Sequence, residues 1–87
     1  MAGINTLISS AQGYESIIEE ISPVLSREAG YISETMSKLQ AAFGGDPQGQ
    51  QAITLLYQII NDLNSADTAL RNAKSGLETA IGTLRMI

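Results

Sequence analysis

Few side chains in this chain can do chemistry, and the only acidic cluster is Glu19-Glu20 with Glu15 one turn earlier. Paired carboxylates perform acid–base catalysis or bind calcium when a pocket or an Asp-rich loop supports them. Neither accompanies these acids, so a solvated helix face is the simpler interpretation. Because the sequence has no His, Cys or Trp, the usual zinc sites and the Ser-His and Cys-His nucleophile pairs are excluded. We therefore expect a protein that is not an enzyme and that has no catalytic residue, metal or cofactor.

The second candidate for chemistry is Gly44-Gly45, which resembles a short anion-binding loop. No Lys or Ser/Thr follows at the spacing of a phosphate-binding loop, so we interpret the glycines as part of a turn. The turn comprises Phe43, Gly44, Gly45, Asp46 and Pro47. Glycines permit backbone angles that other residues resist, and Asp followed by Pro is typical of an N-cap and a first helical residue. Because this turn lies near the middle of the chain, the sequence predicts an all-α hairpin with two arms of similar length.

Composition limits the possible functions of this hairpin. The 87 residues form one domain with a small core, and the net charge of −4 argues against nucleic-acid binding. No basic leader precedes Arg27 and no apolar run is long enough to span a bilayer, so we expect either a cytoplasmic protein or one exported without a cleaved leader. Only 16% of the residues are charged. Much of the surface is therefore available for contact, and oligomerisation is the expected source of extra stability.

Apolar residues recur at steps of three and four along the first arm, which predicts a helix over about 3–42. We call the row of residues of one helix that contacts the other helix the seam. The expected seam of the first arm is Ile4, Leu7, Ala11, Tyr14, Ile18, Ile21, Leu25, Ala29, Ile32, Met36, Leu39 and Phe43. One extra step of four lies beside Pro23, which lacks an N–H and kinks or breaks a helix. The alternatives are a kinked helix, which the continuous stripe favours, and two helices with Ser22 capping the second. A neighbouring row of Ile17, Val24 and Tyr31 makes the stripe wider than one partner helix requires.

The second arm carries a leucine at every seventh position, which predicts one long helix over about 48–85. The leucines are Leu56, Leu63, Leu70, Leu77 and Leu84, and the row beside them is Ala52, Ile59, Ala66, Ala73, Ala80 and Ile87. A third row holds Ile53, Ile60 and Ile81, together with Asp67 and Lys74. Those two charged residues either set the register against another helix or mark the solvated edge of the seam.

Charge is unevenly distributed between the two ends of the chain. The early acids are Glu15, Glu19 and Glu20, and the late bases are Arg71, Lys74 and Arg85. A hairpin brings these two ends together, so the pattern permits ion pairs between the arms. Ordinary complementation of helix dipoles, with acids early and bases late, explains the same pattern.

The turn and the second arm resemble the needle subunits of bacterial type III secretion injectisomes. In that family a polar turn ending in Asp-Pro or Asn-Pro precedes a Gln, then an aromatic residue six positions on, then a Ser eight further. Gln51, Tyr57 and Ser65 hold this spacing here, and the resemblance covers roughly residues 34–87. The gap from Pro47 to Gln51 is shorter than in the family and the tail after Ser65 is longer. A Phe-Gly-Gly turn is also unusual there.

The resemblance implies a structural subunit that polymerises into a hollow extracellular filament and conducts unfolded effector proteins. It implies export without a cleaved leader, a cytoplasmic chaperone before export, and contacts with inner rod and tip proteins. The second arm would form the layer facing the channel. The residues expected to pack on the first arm and on neighbouring copies are Leu63, Leu70, Leu77, Ile81, Leu84 and Ile87.

A second resemblance is to the Trp-x-Gly hairpins of type VII secretion. The stretch 36–45 is similar to the end of their first helix and their turn, with Phe43 in place of Trp. The export motif of that family is missing, because Tyr57 is followed four residues later by Asn61 rather than by an acid. This alternative implies a four-helix-bundle dimer that acts as the partner of a secreted effector, with Phe43 packed under the turn.

Overall fold

Two long antiparallel helices make up the protein, whose computed structural model describes residues 2–87. Helix α1 spans Ala2–Phe43 and α2 spans Pro47–Arg85. The expected all-α hairpin is confirmed, and the expected helices over 3–42 and 48–85 differ from the observed ones by one residue at the ends of α1 and at the start of α2. The hairpin measures 65 × 15 × 13 Å. It is therefore a thin rod in which each helix contacts only the other.

Helix α1 runs without a break through Pro23, so the structure has one helix where two were an alternative. The pyrrolidine ring is exposed and lies outside the seam. Proline has no N–H for the carbonyl one turn earlier, but the packing of α1 along the whole of α2 holds the helix together across this defect. Ser22 does not cap a helix, since its Oγ donates a hydrogen bond to Asp67 Oδ1 across the hairpin.

The seam of α1 follows a strict alternation of steps of three and four. Its buried and half-buried positions are Ile4, Ile8, Ala11, Glu15, Ile18, Ser22, Leu25, Ala29, Ile32, Met36 and Leu39. The expected places of Leu7, Tyr14, Ile21 and Phe43 in the seam are wrong, because all four side chains are exposed. The extra step of four disappears with them. In their place the seam accepts Ile8 and two polar residues, Glu15 and Ser22.

The seam of α2 consists of the leucine row and the third row, which faces α1 despite its charges. Leu56, Leu63, Leu70, Leu77 and Leu84 alternate there with Ile53, Ile60, Asp67, Lys74 and Ile81. The alanine row beside the leucines is exposed from Ile59 onward. Charged residues therefore lie inside the interhelical contact, and the alanines lie outside it.

The turn is held by hydrogen bonds rather than by unusual backbone angles. Asp46 is extended (φ −94°, ψ 131°), and its Oδ1 accepts a hydrogen bond of 2.8 Å from the Gln48 N–H, with Pro47 in the first turn of α2. None of the described glycines has a positive φ, so the expected role of Gly44 and Gly45 in permitting unusual angles is wrong. Gly44 is required by close approach instead, because a Cβ there would lie 2.5 Å from the carbonyl oxygen of Gln40.

The hydrophobic core is thin. Among residues 3–87, Ile18 and Ile81 are the only buried apolar side chains, with exposed fractions of 9% and 5%. None of these residues has a large side chain that is completely buried. In a pair of helices each helix buries only one stripe against the other, so the remaining sides of both helices stay in contact with solvent.

Candidate functional site

One member of the acidic cluster on α1, Glu19, forms an ion pair with α2. Glu19 Oε1 lies 2.8 Å from Lys74 Nζ, which is the contact between the arms that the charge pattern permits. The hydrogen bond from Lys74 to Glu19 and the negative charge of Glu19 raise the pKa of Lys74 above its ordinary value. Within the described part of the chain, no group of His, Cys, Asp and Glu is arranged to hold a metal ion.

A second polar contact lies around Asp67, two turns before Lys74 on α2. Its side chain is only 17% exposed, and it accepts a hydrogen bond of 2.7 Å from Ser22 Oγ and pairs with Arg71 Nε at 3.0 Å. The expectation that Asp67 and Lys74 set the register describes this geometry better than a solvated edge does. Sliding one helix past the other would remove Ser22 from the half-buried carboxylate and leave it only Arg71 of its own helix, and losing a hydrogen bond to a half-buried charge is costly.

The residues of the needle motif lie on the exposed sides of α2. Gln51 and Ser65 lie on the side away from α1, whereas Tyr57 is 59% exposed beside the groove that contains Ser33 and Ser37. The structure thus does not bring the three side chains together into one site.

Most of the residues expected to mediate polymer packing face α1. Ile81 is buried, and Leu63, Leu70, Leu77 and Leu84 are half-buried in the seam. Ile87 lies beyond the end of α2 and is 81% exposed, with Met86 beside it. On this hairpin, Ile87 is therefore the member of the set most available to another molecule.

The turn presents Phe43 to solvent. Its side chain is 55% exposed, so its expected burial under the turn is wrong for the single hairpin. A residue that sequence reasoning missed, Gly49, is buried against it, and a Cβ added at Gly49 would clash with the Phe43 carbonyl oxygen and lie 2.8 Å from the Phe43 Cβ. Gly49 thus allows the first turn of α2 to pass close to the end of α1.

The most prominent feature of the surface is an apolar stripe on α1. It contains Leu7, Tyr14, Ile17, Ile21, Val24 and Tyr31, all of which are exposed. Steps of three and four connect these positions, with Ser10 and Glu28 completing the pattern. At 100° per residue the stripe lies about 100° around the helix from the seam, so α1 has two adjacent contact stripes rather than one wide stripe.

Helix α2 has a matching exposed stripe of mainly small residues. It contains Leu55, Ile59, Ala66, Ala69, Ala73, Gly76 and Ala80. Asp62 is the charged residue within it. Small side chains let another helix approach the backbone closely, so this stripe forms a shallow channel along α2.

Both stripes lie on the same side of the hairpin. The grooves that open on the other side are lined by Glu19 and Ser26 of α1 and by Arg71 and Glu78 of α2. The rows that flank the seam on the opposite side are therefore the Leu7–Tyr14–Ile21 row of α1 and the Ile59–Ala66–Ala73 row of α2. We call the two stripes together the apolar face; opposite it lies a polar face with charged grooves.

The outward side of α2, opposite α1, carries a stripe without charge. The stripe contains Gln51, Thr54, Gln58, Asn61, Ser65, Thr68, Asn72, Ser75 and Thr79, all exposed. Several of its threonines, including Thr54, Thr68 and Thr79, direct their hydroxyls to the backbone carbonyl one turn earlier. The outward side of α1 differs, because it presents Glu20, Arg27 and Glu34.

Comparison with known proteins adds no assignment. No protein-family model matches the chain, and no match was found among curated proteins or solved structures. Neither of the described helices is long and apolar enough to cross a membrane. The resemblance to needle subunits therefore rests on the turn and on Gln51, Tyr57 and Ser65.

Proposed function

We propose that the protein is a non-catalytic structural subunit that assembles with copies of itself, and that the assembly is the extracellular needle filament of a type III secretion system. The observation that carries the assembly is the imbalance between a thin core and a wide apolar face. The chain exposes 6109 Å², whereas a compact monomer of 9.2 kDa exposes about 4,900 Å².

The distribution of charge supports a filament with different inner and outer surfaces. In the needle arrangement α2 faces the channel, which would line the channel with the uncharged amide and hydroxyl stripe and place the charged side of α1 outside. A channel wall without charge holds neither acidic nor basic segments of an unfolded effector strongly, since no ion pair forms with it. The export chaperone and the inner rod and tip proteins are further partners under this proposal.

Concentration-dependent polymerisation tests the needle assignment. We expect the purified chain to form long uniform tubes with a central dark line in negative-stain electron micrographs as its concentration rises. Removing Met86 and Ile87, which lie beyond the end of α2 at Arg85, should leave the helix content unchanged in circular dichroism and abolish the tubes. Tubes from the shortened chain would contradict a role for this end, and small particles of constant mass from the full chain would contradict the needle.

A second candidate is the type VII-like dimer, and the concentration of most exposed apolar side chains on one face favours it. A closed dimer uses one self-complementary face, whereas a helical filament needs at least two different surfaces on each subunit. In this alternative the protein is a secreted partner of an effector. The dimer hypothesis predicts a single dimer mass in sedimentation at all concentrations above the dissociation constant of the dimer.

A further inference from the structure

We infer that a second copy of this chain covers the apolar face and runs antiparallel to the first, turn against open end. The pair would be a four-helix arrangement in which the α1 stripes meet each other and the α2 stripes meet each other. The inference rests on the self-association proposed above but on neither secretion assignment, since a filament and a closed dimer are both built from copies of this chain.

The area of exposed surface matches what a stable dimer requires. The excess over a compact monomer of this mass is about 1,200 Å² per chain. Interfaces of standard size bury about 800 Å² per partner, and larger apolar ones are typical of obligate dimers. An interface of about 1,200 Å² per chain, larger than the standard size, would bring the exposed area per chain to the ordinary value for a folded protein.

The order of residues along α1 makes its stripe self-complementary in the antiparallel direction. With the two-fold axis at the level of Glu19, Ile17 lies opposite Ile21, Tyr14 opposite Val24, and Leu7 opposite Tyr31. Every exposed apolar residue of the stripe thus meets another one. An isologous contact has this property, since residue i meets j and residue j meets i.

The stripe on α2 has the same centre. The contacts Ser22–Asp67 and Glu19–Lys74 place the level of Glu19 near residue 71 of α2. Around that level Ala69 lies opposite Ala73, and Ala66 lies opposite Gly76. Small residues therefore meet small residues, which allows the two α2 helices to pack closely.

Charge selects the antiparallel orientation over the parallel one. Glu28 and Asp62 lie at about the same height of the hairpin, on the apolar face of each helix. A parallel pair, with both turns at one end, would bring these acids from both copies to one level, and like charges at close range repel. In the antiparallel pair Glu28 lies opposite Ser10 and Asp62 opposite Ala80, so neither acid meets an acid.

Cysteine cross-linking tests both the face and the orientation, because the chain has no native Cys. Mixed Tyr14→Cys and Val24→Cys proteins should form an intermolecular disulfide under mild oxidation. The matched control is Gln12→Cys with Ser26→Cys, which has the same antiparallel offset on the polar face and should stay reduced. Equal cross-linking of the control pair, or none in either mixture, would overturn the proposal.

A third mixture distinguishes the orientations. Val24→Cys and Ala66→Cys lie opposite each other in a parallel pair, so efficient cross-linking of this mixture would overturn the antiparallel arrangement. In the same series Ile21→Glu, near the two-fold axis, should weaken association at least tenfold in sedimentation. Ser26→Glu, at a similar height on the polar face, should leave association unchanged, and an equal loss in both variants would contradict the assignment of the face.

Discussion

Replacing Asp67 tests whether the polar contacts inside the seam define the hairpin's register. Asp67→Ala removes the acceptor of the 2.7 Å hydrogen bond from Ser22 and the partner of Arg71. A hydrogen bond to a charged group contributes about 1.5–3 kcal/mol, whereas an exposed ion pair contributes about 0–1 kcal/mol. Because Arg71 is 71% exposed, the Ser22 bond carries most of the effect. We expect Asp67→Ala to lower the free energy of unfolding by about 2 kcal/mol.

A double variant that restores an apolar contact separates the effect of losing the hydrogen bond from the effect of losing side-chain volume at position 67. Ser22→Ala combined with Asp67→Leu converts this layer of the seam into an apolar one, and such replacements are often neutral or stabilising. We therefore expect this variant to recover the stability lost in Asp67→Ala. A matching cycle of Ser22→Ala, Asp67→Ala and their double variant should show a coupling energy of about 1 kcal/mol, because the two side chains are in direct contact.

Urea denaturation followed by circular dichroism at 222 nm measures these differences. At about 1–2 kcal/mol per molar urea for a chain of this size, Asp67→Ala should shift the midpoint down by about 1–2 M. Each protein is measured at two concentrations, so that linked association can be separated from hairpin stability. A midpoint for Asp67→Ala that is unchanged within error would refute the register role of this contact.

Three further predictions, one of them with a matched control variant, test other parts of the structure in the same urea and circular dichroism assay. Gly49→Ala should lower the free energy of unfolding by about 1–2 kcal/mol, because the new Cβ meets the backbone of Phe43. Gly45→Ala has open space around the new Cβ and a negative φ, so it should raise the free energy of unfolding by about 0.4–1 kcal/mol. Equal effects of the two variants would contradict the close approach at Gly49. Pro23→Ala should stabilise by about 1–3 kcal/mol by restoring a backbone hydrogen bond in α1, and a loss of stability would show that the seam depends on the proline. The raised pKa of Lys74 contributes stability that is present below the ordinary value of 10.5 and is lost as pH rises through the folded-state pKa. The Lys74→Leu variant should lack this loss of stability at alkaline pH. Identical pH profiles for the two proteins would contradict the ion pair.

The apolar pattern of α1 predicts the hairpin correctly but assigns the wrong row of residues to the contact with α2. Tyr14 and Ile21 are more apolar than Glu15 and Ser22, and both rows lie beside Ala11 and Ile18. Apolarity alone therefore assigns Tyr14 and Ile21 to the seam. In the structure the row with Glu15 and Ser22 faces α2 instead, because Asp67 and Lys74 on α2 need polar partners on α1. The sequence does contain a signal for the correct row, because only that row gives a strict alternation of steps of four and three from Ile4 to Leu39.

The turn shows a similar limit. The positions of Asp46 and Pro47 follow from local chemistry that a sequence displays directly. Gly49 allows the start of α2 to pass close to the Phe43 backbone, which depends on where α1 and α2 lie in space, whereas Gly44 avoids a clash with the Gln40 carbonyl one turn earlier in α1. Neither requirement is visible as a residue pattern in the sequence. The sequence shows part of the apolar face as the row Ile17, Val24 and Tyr31, but the full extent of this face depends on which residues of α1 contact α2.

Sedimentation equilibrium of the 87-residue chain across a wide concentration range tests the central claim most directly. The account predicts a mass well above the 9.2 kDa of one chain at micromolar concentration, falling to the monomer mass on dilution, with Ile21→Glu shifting this transition to higher concentration. A folded wild-type monomer of 9.2 kDa at every concentration would contradict it, because the apolar face would then have no copy of this chain to cover it.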